Sequence, residues 1–129
     1  MSGIITPGIK LTLTKMVGEN DTASSYGSGL LDVLSTPAMI AFMEHTAMMS
    51  VESCMDDGQG TVGTMVNIRH LKATPVGMKV TCTATLTEVD GRRLLFSVEA
   101  VDEKNRIGEG YHERFIIEKD KFMTKLKGG

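Results

Sequence analysis

The chain has 129 residues, with 14 lysines and arginines against 16 aspartates and glutamates and a formal net charge of −2. That length suits one domain, residues 1–129, able to bury roughly two-thirds of its unfolded surface without disulfides or a structural metal. The mixed charge excludes a basic nucleic-acid face and an acidic disordered tail. Cys54 and Cys82 lack the CxxC spacing of a zinc site and read as reduced thiols.

The N-terminal stretch MSGIITPGIKLTLTK has neither the basic start nor the cleavage site of a signal peptide, and no apolar run approaches ~18 residues. A cytoplasmic protein with no membrane partner is expected. Ile9, Leu11, Leu13 and, after a slip, Met16 alternate with Lys10, Thr12, Thr14 and Lys15, which predicts a strand with one face on a core. Gly18 to Ser35 reads as loop.

Ser35 or Thr36 followed by Pro37 is a helix start, since a hydroxyl accepts from an orphan N–H and proline gives up a donor that has no partner there. The helix should run from about Pro37 to Met55. Four alternating segments follow, from Thr61 to Leu71, Met78 to Val89, Arg92 to Val101 and Arg106 to Ile117, rich in Thr, Val, Ile and Leu. Asp90-Gly91 between the second and third reads as a type I′ hairpin turn. One strand, one long apolar helix and a four-strand meander predict an α+β fold, a curved antiparallel sheet wrapped around one central helix.

On that helix Met39, Phe42, Met43, Thr46, Met49 and Val51 cover more than half of the circumference, and Ile40, Ala41 and Ala47 fill most of the rest. A five-stranded sheet covers only one side of such a helix, so a homodimer is expected, with a second subunit as the other cover.

Glu44 stands in the middle of this helix. A buried carboxylate needs a cation or hydrogen-bond donors, or it takes up a proton, and either outcome is chemically useful. A single glutamate on a helix more often marks a narrow solvent stripe, here with Ser50 or Glu52. His70 ends the strand VGTMVNIRH and by alternation shares a face with Val62, Thr64, Val66 and Ile68, which suits a general acid or base. A strand-end histidine bonded to a carbonyl is equally common. His45 and His112 compete for the role, but His45 points about 100° away from Glu44 and His112 sits on another strand. The Thr36 hydroxyl lies where a helix N-terminus favours negative charge, in addition to any capping role.

Taken in order, STPAMIAFMEHTA, TVGTMVNIRHLKATPVGMKV, EVDGRRLLFSVEA and GEGYHERFII resemble the hot-dog-fold thioesterases, specifically the fluoroacetyl-CoA thioesterase-like branch. The resemblance covers roughly Leu30 to Ile117. It implies a dimer with two sheets paired edge to edge and two active sites at the interface. It also implies a Thr/Glu/His catalytic triad, carried by motif match onto Thr36, Glu44 and His70. In that chemistry Glu44 attacks the thioester carbonyl or activates a water, His70 assists proton transfer, and Thr36 orients the glutamate and stabilises developing charge. CoA enters as part of the substrate, and neither a metal nor a further cofactor is required.

The same match places Gly63 against the acyl group and Arg114 near the site. CoA phosphates would look for Arg69, Lys72, Arg92, Arg93 or Arg106. The segment SSYGSGLLDVLSTP lacks the phenylalanines that lid the acyl pocket of the fluoroacetate-specific member, and Leu30, Leu31 and Leu34 would lid it less selectively. The methionines at 39, 43, 48, 49 and 65 offer an adaptable lining.

The expected activity is hydrolysis of a small or medium acyl-CoA thioester. The alternatives are an acyl-CoA or small-ligand binding protein without turnover and, lower in rank, an enoyl-thioester hydratase or dehydratase. The acyl chain, CoA against a carrier protein as the thiol, and dimer against tetramer stay open.

Overall fold

The structure is a computed structural model that describes residues 3–128. Strands β1 (Lys10–Met16), β2 (Gln59–His70), β3 (Lys79–Asp90), β4 (Arg93–Val101) and β5 (Arg106–Glu118) form one antiparallel sheet in the order β1-β3-β4-β5-β2. Helix α1 is Ala23–Tyr26, α2 is Thr36–Glu52 and α3 is Lys119–Leu126, with a 3-10 turn at Glu19–Asp21. This is the hot-dog arrangement, with α2 lying across one face of the sheet.

The core follows from two periodicities meeting. Val80, Cys82, Ala84 and Leu86 of β3 and Leu94, Phe96, Val98 and Ala100 of β4 are buried at every second position, as a half-buried strand requires. Met39, Met43, Ala47 and Val51 of α2, spaced four apart, lie on them fully buried. Truncating Met43 to alanine would cost about 2–5 kcal/mol, the range for an emptied core position.

Several expectations shift. Helix α2 ends at Glu52 rather than near Met55, because the chain turns at Ser53 and Met55 packs on the core from outside the helix. The first strand does not slip: its alternation runs unbroken through Leu11, Leu13 and Lys15 to Val17, which is buried, and Met16 is left 57% exposed on the other face. The 18–35 stretch contains α1, capped by the Thr22 hydroxyl accepting from the Ser25 N–H. The tight hairpin turns at Gly91 and Arg92, with positive φ at Gly91 alone, so it is not type I′, which needs positive φ at both central residues.

Two surfaces remain uncovered. Pro37, Ala41, His45 and Met49 form an exposed stripe at i, i+4 spacing along α2. Strand β2 is an edge of the sheet and is exposed at every residue from Gly63 to Asn67. Among the described residues no helix is long and apolar enough to cross a membrane.

Candidate active site

The start of α2 divides labour between neighbouring hydroxyls. Ser35, 1% exposed, is the cap, its Oγ accepting from the Ala38 N–H at 3.1 Å. Thr36 is therefore released from capping and turns outward, where its Oγ1 lies 2.7 Å from His70 Nδ1. His70 comes from the far end of β2, directly opposite Gly108, so the strand end delivers the imidazole to the helix start. Its Nε2 is buried and has no hydrogen-bond partner, an atom free to take or give a proton. Burial holds the ring below the ordinary histidine value, and the backbone of Lys72 offsets part of that. A cleft of about 490 Å³ opens beside the pair, lined by Leu34, Thr36, His70, Leu71 and Lys72 among others. Leu30, 95% exposed, and Leu31, 69% exposed, stand on the loop before α2.

Glu44 is two turns farther along the helix, about 12 Å from Thr36 at the usual helical rise. Its surroundings are set by an irregularity in β2. The pairing with β5 shifts between Gly63 and Met65, leaving Thr64 as an extra residue. Since side chains alternate with period two, that bulge exchanges the faces on either side of it. The predicted face of Val62, Thr64, Val66, Ile68 and His70 is thereby corrected: Gly63, not Val62 or Thr64, is on the helix side. Thr64 points to the other surface and donates to a Glu113 carboxylate oxygen at 2.7 Å.

Gly63 thus leaves a narrow gap in the side chains facing α2, closely bordered by three polar residues. A Cβ there would stand 3.0 Å from Glu44 Oε2, 3.2 Å from His112 Cε1 and 3.4 Å from Arg114 Nη1. Arg114 is directly opposite Gly63 on β5 and only 7% exposed. It donates from Nε to Thr61 Oγ1 at 2.8 Å, from Nη2 to the Thr61 carbonyl at 2.9 Å and from Nη1 to His112 Nε2 at 3.1 Å. Burial lowers its pKa from the usual arginine value, while the carboxylates of Glu44 and Glu52 act in the opposite sense.

The predicted residues therefore gather in two groups within one chain, Thr36 with His70, and Glu44 with Gly63 and Arg114. His112, weighed in the sequence only as a rival for the role of His70, belongs to the second group. The signal for it was the spacing of His112 and Arg114 in HERF, two residues apart on a strand and hence on one face. His45 is exposed on the outer stripe of α2. Arg93 and Arg106 are engaged with Glu88 and Glu113, and with Glu99 and Glu109, respectively. Among the described residues no three His, Cys, Asp or Glu side chains converge as a metal-holding group.

Residues 17–120 match the FlK family, fluoroacetyl-CoA-specific thioesterase. The fluoroacetyl-CoA thioesterase of Streptantibioticus cattleyicolor is 38% identical over 96 residues, 74% of this chain and 69% of that protein. A point variant of the fluoroacetyl-CoA-specific thioesterase FlK superposes with a TM-score of 0.92 at 32% identity, covering 98% of each chain. The same thioesterase as a variant complexed with fluoroacetate and CoA gives a TM-score of 0.87 at 33% identity, over 92% of this chain and 99% of that one. A Thermus thermophilus hypothetical protein described as a thioesterase superfamily member gives 0.88 at 26% identity, over 96% and 92%.

Proposed function

The chain belongs to the fluoroacetyl-CoA-specific thioesterase family and is an acyl-CoA thioester hydrolase; from that premise we propose that Glu44 of one subunit and the Thr36–His70 pair of a second form each catalytic site. The observation that carries this reading is the carboxylate of Glu44 beside Gly63, with Thr36 two turns away on the same helix and His70 bonded to Thr36 from the end of β2.

A homodimer closes that gap. A two-fold axis between Val66 and Asn67, within the exposed part of the β2 edge, would pair the two β2 strands antiparallel. Such pairing sets Gly63 opposite His70 of the partner subunit, bringing the second imidazole to the carboxylate. It would also give the unpaired edge a partner and begin to cover the apolar stripe of α2.

In the proposed reaction an acyl-CoA thioester and water become the acid and free CoA. The acyl carbonyl sits over Gly63, where a missing Cβ permits close approach. Glu44 adds to the carbonyl carbon or takes the proton of an attacking water. His70, oriented by Thr36, moves the proton through its free Nε2, and the CoA thiolate is a good enough leaving group to depart without a metal. Arg114 supplies fixed positive charge to the pocket without giving up its bonds to Thr61 and His112.

The substrate is a small or medium acyl-CoA. The exposed leucines at 30 and 31 present branched aliphatic groups, not aromatic rings, at the lid position, which supports a broader acyl range than fluoroacetyl alone.

The test is thiol release across acyl-CoAs from acetyl to long-chain, with wild type beside Glu44→Gln and His70→Ala. Release by wild type that is lost in both variants supports the site. Thermal stabilisation by acyl-CoA with no free CoA from wild type would point instead to a binding protein.

A further inference from the structure

His112 is a buried, ionisable side chain that the proposed reaction does not use. It is 0% exposed, stacked at 6.4 Å between centroids on Phe96 of β4, and both ring nitrogens are bonded. Its tautomer follows from its partners. A guanidinium only donates, so Nε2 accepts from Arg114 Nη1, and the proton must be on Nδ1, which donates to the Met65 carbonyl at 2.9 Å. Those partners flank Gly63: Met65 is the first paired residue beyond the bulge and Arg114 is the cross-strand partner of Gly63. The carbon between the two nitrogens, Cε1, forms one wall of the opening that Glu44 faces.

We propose that His112 is a positioning residue of the thioesterase: as a neutral Nδ1–H imidazole it holds Arg114 and the bulged β2 backbone at the spacing that keeps the Gly63 opening aimed at Glu44. This rests on the reading of Glu44 as the reacting carboxylate. An apolar ring of similar size would fill the space but strand the Met65 carbonyl and one Arg114 N–H away from water. Protonation would set an Nε2–H against the Arg114 N–H, donor to donor and charge to charge. Arg114 on β5 opposes that protonation together with burial, whereas Glu44 on α2, Glu113 on β5 and the Met65 carbonyl on β2 favour it; the net direction is a lowered pKa. The neutral ring is therefore the form present at neutral pH.

The experiment compares His112→Leu with His112→Gln, whose amide oxygen reaches the position of Nε2 and accepts from Arg114. Misplacing a group at a reacting centre costs up to about 100-fold, so His112→Leu should lose kcat by about 10- to 100-fold with KM within about threefold. His112→Gln should recover most of the loss and drop one ionisation from the acid limb of the kcat profile. A folded His112→Leu with wild-type kcat, or a His112→Gln no better than it, overturns the proposal. Nitrogen NMR of the wild-type ring gives a second readout should His112→Leu not fold: protonated Nδ1 and bare Nε2 at neutral pH are expected, and protonated Nε2 would refute the arrangement. Glu44→Gln run alongside separates the two levels. Full activity in that variant removes the parent reading, whereas an inactive Glu44→Gln beside a fully active His112→Leu refutes only the role of His112.

Discussion

Thr36 and His70 stand at an open cleft with one ring nitrogen unbonded, whereas His112 and Arg114, a few residues away on the neighbouring strand, are closed in with His112 bonded at both nitrogens. Both regions contain a histidine whose pKa is lowered, chiefly by burial, yet one ring is free to exchange a proton and the other is locked. An imidazole serves proton transfer only where a nitrogen is left available. The locked ring can serve only through what it holds.

Removing chemistry from either region should have the largest effects. Glu44→Gln and His70→Ala should each lower thiol release by about two to four orders of magnitude, the usual range for a catalytic acid or base. A fully active Glu44→Gln would break the comparison at its root, since the closed region would then have no reacting group to serve. Gly63→Ala tests the opening itself. Its Cβ would meet Glu44 Oε2 at 3.0 Å and His112 Cε1 at 3.2 Å, so kcat should fall by about 10- to 100-fold, and an unchanged kcat would show that the acyl group lies elsewhere.

Smaller effects separate the two hydroxyls at the helix start. Ser35→Ala should cost about 1 kcal/mol of stability as a lost cap, read from denaturant midpoints, with kcat in the folded protein little changed. Thr36→Val should do the reverse, leaving stability nearly intact and lowering kcat, because its hydroxyl bonds His70 rather than the helix end.

The smallest effect is on stability against pH. His70 and His112 both have lowered folded pKa values, so the unfolded chain binds more protons in the window just below the ordinary histidine value of about 6.5. Their contribution is present above that value and is lost as pH falls below it. Thermal melts should show His112→Gln losing part of this slope, and a slope identical to wild type would contradict a buried neutral ring.

The fold was legible in the sequence because each level agreed with the next. The Ser-Thr-Pro start, the apolar helix and four alternating segments each specify an element, and only one layer arrangement hides the helix. Element α3 was missed because KDKFMTKL carries no stripe that buries, and none of its residues is buried. The bulge at Thr64 was invisible for a different reason: one inserted residue leaves composition and apparent alternation intact while exchanging faces, so it emerges only from the pairing with β5. The resemblance pointed to Thr36, Glu44 and His70. It did not reveal that one chain holds them in two places, since spacing along a helix gives distance but not the partner that closes it.

That separation is the central claim, and mixed dimers test it most directly. Glu44→Gln chains and His70→Ala chains, each inactive alone, are unfolded, refolded together and assayed for thiol release. If each site draws Glu44 from one subunit and His70 from the other, a random equal mixture should regain roughly a quarter of wild-type activity, since half of its dimers are mixed and each of those has one intact site. A mixture as inactive as its components, with mixed dimers verified by mass, would mean that each chain completes its own site and would contradict the account.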